Sequence, residues 1–244
     1  MKSMSKTGKI SLNNIGTTGY VHSLGEVIQL LSYLRGDETI PNDIIPFIPP
    51  EIVTDIFRFS PTLHEETDFF IIEICSIKEF TIKHSFVQMN ILFQELKKIG
   101  HENSYFKFCS NMNKNQGVWV PFRPQAFDLS ESISSLKGIS LTEAQVCRKV
   151  ENLQKKLAKP FAIVTHIEMP GHHDDPTVGL YRRSDGIRYL RNAGKKLGIP
   201  VIEPGELVAA EKNILQQGSS NHYNPEYHRL VGEWILLKIR SHFI

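Results

Sequence analysis

"DFFIIEICSI", residues 68–77, is the stretch on which the fold turns. Its near-continuous apolar content lacks the strict alternation of a half-exposed strand, so it predicts a central β-strand covered on both faces. "KPFAIVTHIE", residues 159–168, repeats the pattern and predicts a second buried strand over Phe161–Ile167. After it, residues 186–197 carry helical spacing, Gly198 stops the helix, and "IPVIEP" (199–204) supplies a third strand. A helix leading into a buried strand is the mark of a parallel α/β sheet.

The flanking segments agree. Residues 9–15 suit a short strand, and residues 24–34 place Leu24, Val27, Ile28, Leu31 and Leu34 on one helical face, with Ser23 as N-cap and Gly36 as stop. Residues 37–67 form a Pro-rich excursion, since "TIPNDIIPFIPPEIV" carries four prolines. Helices are expected over 86–99, ended by Gly100, over 141–157, opened by "LTEAQ", and over 225–239, begun by Pro225. Residues 103–128 read ambiguously, with "GVWVPF" (117–122) as a short strand. Strand alternates with helix four times. The expected fold is therefore one α/β domain spanning 1–244, a three-layer sandwich with a mainly parallel open sheet of the flavodoxin-like kind.

Composition narrows the function classes. The 244 residues are 41% hydrophobic, enough for one large core, and 28 Lys+Arg against 26 Asp+Glu give a net charge of +2. No strong field attracts nucleic acid or anionic lipid, and basic and aromatic residues form no stacking platform. Cys75, Cys109 and Cys147 are an odd set without C-x-x-C spacing, so neither a disulfide framework nor a zinc ribbon is expected, and Cys75 reads as a small hydrophobe. "MKSMSKTGKI" lacks the apolar core of a signal peptide, and the longest apolar runs are too short to span a bilayer. A soluble, cytoplasmic protein acting on a small-molecule or glycan substrate is the expectation.

In open α/β sheets the site lies beyond the carboxyl ends of the strands. Those ends lead into residues 16–23, 76–79, 166–175 and the loop reaching His222. "GTTGYVH" (16–22) supplies two glycines of a nucleotide-binding turn, but a proline-rich excursion follows where the acid of the next strand belongs. A dinucleotide site is disfavoured on that ground.

In "GSSNHYNPEYHRLVGEWI" (218–235), His222 stands just before a Pro-initiated amphipathic helix, and here the chain resembles the SGNH/GDSL hydrolase superfamily. His222, Asn224, Pro225 and Gly232 fit that superfamily's final block, as does the preceding "AGKKLGIPVIEP". The resemblance implies acyl transfer: ester hydrolysis, or O-acylation of a carbohydrate-like hydroxyl. It assigns His222 as general base and matches the nucleophile turn to Gly16, Thr17 and Thr18, so Thr18, or Ser23 nearby, would be the nucleophile or a substrate ligand. Ser219 occupies the position of the aspartate that orients the histidine. Backbone near Gly16 and Ser76 would form the oxyanion site, while His166, His172, Asn221 and Arg182 line the substrate pocket. No cofactor or metal is required on this reading; acyl-CoA would serve if the reaction is a transfer.

Two other readings stay open. "THIEMPGHHDDP" (165–176) gathers His166, His172, His173, Asp174 and Asp175, ligand types suited to a metal-dependent hydrolase or transferase that would also use His222. A non-catalytic glycan-binding protein that kept the fold is the other. Thr18 and Ser23 also suit a turn residue and a helix cap, and Lys78 and Glu79 read as a solvated strand exit. The run 181–196, with Arg182, Arg183 and Arg188, suits a solvated helix face or an anion clamp.

Overall fold

The structure, a computed structural model, describes residues 21–50, 65, 67–124, 130–167, 183–210 and 223–243. Three strands, β1 (Phe70–Ile74), β6 (Phe161–Thr165) and β7 (Val201–Ile202), form a parallel sheet in the order β1-β6-β7. Between β1 and β6 lie β2 (Lys78–Ile82), β3 (Ser85–Val87), β4 (Val120–Pro121) and β5 (Lys137–Ser140), which build a second, antiparallel sheet in the order β3-β2-β5-β4. The helices are α1 (Leu24–Arg35), α2 (Met89–Lys98), α3 (Glu102–Lys114), α4 (Glu131–Ser134), α5 (Glu143–Leu157), α6 (Arg183–Leu197), α7 (Gly205–Ala210) and α8 (His228–Phe243).

The period-two alternation of β6 divides its side chains between two apolar layers. Phe161 and Ile163 join Ile74 and the buried faces of α1, α5 and α6, among them Leu24, Val27, Leu31, Val146, Val150, Leu153 and Leu190. Ala162 and Val164 face the other way and meet Ile202, Trp234, Ile235 and Ile239, the last three from α8. Helix, sheet, helix is the three-layer α/β arrangement expected, with β6 covered on both faces. β1 differs: among the described residues it is an edge strand, and Ile71 is 40% exposed. Its apolar run also stops sooner than 77, at Ile74, for a reason that belongs to the site.

The helix ends follow local chemistry. Thr142 caps α5 by accepting from the Gln145 amide while its own amide donates to Gln145 Oε1 at 2.9 Å, a capping box that "LTEAQ" encodes. Ser23 caps α1 and Gly36 follows its last turn. The prolines of the excursion yield a 3₁₀ helix over Asn42–Phe47. A second 3₁₀ turn, Pro225–Tyr227, precedes α8, so Pro225 opens that turn and the α-helix starts at His228.

The antiparallel sheet, which sequence periodicity did not isolate, carries its own apolar cluster. Phe80 and Ile82 of β2 point into it with Val87, Leu92, Leu96, Tyr105, Phe108, Met112 and Leu136, and Ile44 and Phe47 of the 3₁₀ helix close it. Residues 103–114, ambiguous in sequence, are helical because Tyr105, Phe108, Cys109 and Met112 fall on one face and bury there. The expected strand over 9–15 lies outside the described residues. No helix among the described residues is long and apolar enough to cross a membrane.

Candidate functional site

The carboxyl ends of β1 and β6 lie side by side, Ile74 pairing with Thr165. One step further along each chain come Cys75 and Ser76 on one side and His166 on the other. The amides of Cys75 and Ser76 both donate to the carbonyl of His22, at 3.0 and 2.9 Å. That pair of bonds turns the chain out of β1 and fastens the segment before α1 to the strand end. Val21–Ser23, which follow the turn expected at the first active-site position, are thus fixed through His22 at a strand end, where an α/β sheet places its ligands; residues 16–20 themselves lie outside the described residues.

Below His22, the first turn of α1 is closed by side chains. Ser23 Oγ accepts from the Glu26 amide and donates to Glu26 Oε1 at 2.9 Å, while the His22 amide donates to Glu26 Oε2 at 3.1 Å. The S-x-x-E spacing is that of a capping box, with the carboxyl reaching back to the residue before the cap. Ser23 is fully buried, and both bonds of its hydroxyl go to Glu26. Burial pushes the Glu26 carboxyl up to about 8, and the neighbouring Glu79 charge acts in the same direction. The His22 and Ser23 hydrogen bonds oppose that shift without overcoming it.

Glu79 corrects the sequence expectation of a solvated strand exit: its side chain is 0% exposed, and Lys78 is buried as well. Glu79 Oε1 accepts the Gly25 amide at 2.8 Å, and Oε2 pairs with Lys149 Nζ at 3.0 Å, whose ammonium also lies over the Phe86 ring. Burial raises the Glu79 carboxyl, and Lys149 pulls it back down. Gly25 is required by packing, since a Cβ there would stand 2.4 Å from the Phe86 ring. Lys149 pairs with Glu79 and not with Glu26, and burial, with the Glu79 charge, raises the Glu26 carboxyl.

The His22 ring is fixed from the far side. Gln88 Oε1 accepts the Ile91 amide at 2.8 Å, so its amino group faces His22 Nε2 at 3.2 Å. Nε2 is therefore the acceptor and the neutral ring carries its proton on Nδ1. Burial, with His166 nearby, lowers His22 to about 4.

At the open edge stand Glu73, Cys75 and His166, one potential ligand atom of each lying within 4.8 Å of the others. His166 Nδ1 is 3.3 Å from Glu73 Oε1, and the Cys75 thiol is 3.7 Å from the same oxygen. Burial pushes the Cys75 thiol well up, with Glu73 adding to it, so the sulfur is protonated at neutral pH. Arg183 donates to the Ile167 carbonyl at 3.0 Å, which brings the start of α6 to the same edge. Tyr223 packs with Ile167, Val208 and Val231, and burial followed by Glu73 and Cys75 raises its phenol.

Of the residues singled out from sequence, the structure brings Ser76 and His166 to this edge and sets Ser23 directly beneath it. The Ser76 and Cys75 amides, where backbone donors to an oxyanion were expected, bond to the His22 carbonyl, and the Ser76 hydroxyl accepts the Lys78 amide at 2.9 Å while keeping its own proton to donate. Gly16, Thr18, His172, Arg182, Ser219, Asn221 and His222 lie outside the described residues. Arg188 pairs with Asp185 at 2.7 Å on an exposed helix face. Glu26, Glu73, Cys75 and Tyr223 were not singled out as site residues. For Glu73 and Cys75 the signal was present in their i, i+2 spacing at a strand end.

No curated protein and no solved structure matches the chain. A family model does match, over residues 1–238, nearly the whole length and both edges of the site. The chain belongs to the family described as the TviD N-terminal domain.

Proposed function

We propose that the protein is a carbohydrate O-acetyltransferase of SGNH-like design, with acyl-ester hydrolysis as the same chemistry with water as acceptor. The TviD family is related to O-acetylation of the Vi antigen, a carbohydrate modification, and that relation supports the reaction class. The single observation that carries the siting is the pair of bonds from the Cys75 and Ser76 amides to the His22 carbonyl. They hold the segment following Thr18 at the carboxyl end of β1. Tyr223, the sequence neighbour of His222, packs against Ile167 at the end of β6, which supports assigning the His222 side of the site to the same edge of the parallel sheet.

On this reading His222 is the general base and Thr18 the hydroxyl it activates or helps to bind. Ser23, committed to the cap with Glu26, supports the turn. Ser219 stands in for the orienting acid, and Gly16 with the Ser76 hydroxyl supplies donors to the oxyanion. His166, with His172, Asn221 and Arg182, lines the acceptor side, and acetyl-CoA is the donor class that fits a transferase.

The test compares wild type, His222→Ala, Thr18→Ala and Ser23→Ala in two assays, hydrolysis of p-nitrophenyl acetate and acetyl transfer from acetyl-CoA to an oligosaccharide acceptor. Loss of at least a hundredfold in His222→Ala is expected, the scale of general-base contributions. Equal rates for wild type and His222→Ala would remove His222 as base and the SGNH-like reading with it. Fluorophosphonate labelling that survives Thr18→Ala but not Ser23→Ala would transfer the nucleophile's role to Ser23.

A further inference from the structure

We infer that Glu73, Cys75 and His166 form a binding site for a divalent transition ion of the zinc type. The inference does not rest on the acyl-transfer reading. Thiolate sulfur, imidazole nitrogen and carboxylate oxygen are together the ligand set of zinc rather than of magnesium or calcium, which take oxygen. The spacing fits as well as the chemistry. Zinc bonds of about 2.0–2.3 Å at tetrahedral angles set N···O and S···O edges of roughly 3.3 and 3.6 Å. His166 Nδ1 and Glu73 Oε1 are 3.3 Å apart, and Cys75 Sγ and the same oxygen 3.7 Å. Two edges of the ligand triangle thus already match a tetrahedral site, and the three ligand atoms all lie within 4.8 Å of one another.

A second observation points the same way. His166 Nδ1 is shielded from solvent and makes no hydrogen bond among the described residues, although a carboxylate oxygen stands at 3.3 Å. A buried ring nitrogen with no hydrogen bond among the described residues thus stands within the cluster. Backbone architecture also holds the donors in place. Glu73 and Cys75 are i and i+2 of one extended segment and share a face, while the Ile74–Thr165 pairing sets His166 beside Cys75. The Cys75 amide bond to His22 fixes the strand exit.

With no ion bound, the Glu73 oxygen faces the thiol S–H. On binding, the Zn–S and Zn–O bonds replace that contact and the thiol proton leaves to solvent. Three protein ligands leave a fourth position open, the pattern of zinc sites that bind water or polarise a substrate oxygen rather than of closed structural ones. This site differs from the one the sequence suggested in the His166–Asp175 loop: it shares His166 but takes its other ligands from β1.

The test uses full-length protein purified without a histidine tag, stripped with chelator and titrated with Co²⁺ as a spectroscopic substitute for Zn²⁺. One equivalent of Co²⁺ should give intense visible bands of four-coordinate cobalt and a near-ultraviolet thiolate-to-cobalt band, both displaced by one equivalent of Zn²⁺. Cys75→Ser should abolish the thiolate band, and His166→Ala and Glu73→Gln should each weaken binding at least tenfold, with far-ultraviolet circular dichroism confirming the fold. His172→Ala and Asp174→Ala should leave the thiolate band in place. The inference is overturned if wild type binds no cobalt, if bound cobalt shows no thiolate band, or if the loop variants remove the site while Cys75→Ser keeps it. None of these readouts uses enzymatic activity, so failure of the metal site and failure of the acyl-transfer reading are separately visible.

Discussion

Glu26→Gln tests the charge arrangement beneath the site. Burial raises the Glu26 carboxyl from 4.5 to about 8, so the folded protein holds it protonated while the unfolded chain ionises it above pH 4.5. The sign follows: a raised folded-state pKa contributes stability that is fully present below 4.5 and is lost as pH rises through 8. Each pH unit between those limits removes about 1.4 kcal/mol. From pH 5 to pH 7.5 the wild type should lose about 3 kcal/mol through this one group. Glutamine is the neutral mimic: its oxygen accepts the His22 amide and its amino group donates to Ser23 Oγ, so the substitution removes the titration and keeps the cap. Any constant cost of the extra N–H shifts the Glu26→Gln curve without changing its slope. Urea unfolding of both proteins at half-unit steps from pH 5 to pH 8 isolates the term, because every other titrating group cancels in the difference. The gap between the two curves should close or reverse by about 3 kcal/mol towards alkaline pH. Parallel curves would refute the claim that Glu26 is the neutral member of the pair.

Lys149→Met leaves the Glu79 carboxylate buried with only the Gly25 amide, and should cost about 3 kcal/mol in urea unfolding at pH 7; adding Glu79→Gln should restore most of it, and a double variant no better than the single one would deny the pairing its role. Gly194→Ala would place a Cβ 2.4 Å from Val201 Cγ2 and 2.6 Å from the Ile199 carbonyl, where backbone cannot yield; thermal unfolding should show a loss of about 2 kcal/mol, and an unchanged midpoint would mean that α6 does not sit this close to β7. Thr142→Ala removes the capping box of α5 and should cost about 1 kcal/mol by the same measurement, whereas no loss would mean that water replaces the cap.

What sequence shows and hides here has a physical boundary. Residues 161–165, the Ser23 cap, the Thr142–Gln145 box and the glycine stops are written in windows of a few residues, because alternation and capping are local. The antiparallel sheet is not. "KEFTI" (78–82) reads as surface since it opens with two charges, yet Glu79 is neutralised by Lys149, seventy residues further along the chain, and no local pattern announces an ion pair formed across α5. The same distance effect made β1 look central. Its apolar content is real, but strand order is decided by partners elsewhere in the chain, and among the described residues only β6 lies against it.

The candidate site was legible in its location and not in its membership. Strand ends in a parallel sheet are predictable places for chemistry, and by that rule Ser76 and His166 were expected at the strand ends where the structure puts them. Glu73 and Cys75 escaped it because an unbroken apolar run suggests that every side chain within it packs. Parity decides otherwise. In β1 the residues Phe70, Ile72 and Ile74 share the face that meets α1, α5 and α6, whereas Ile71 and Glu73 point to the opposite face and are exposed. Cys75 continues that second parity one step past the strand. A charged residue and a thiol at i and i+2, on the open face of a strand whose parallel partner ends in a histidine, are not packing residues that happen to be polar. A run chosen only for burial would place valine or isoleucine at both positions. The E-x-C spacing in "IEICSI" is the local trace that the inferred metal site would leave, and it becomes visible when each buried strand is read face by face, instead of as one apolar block.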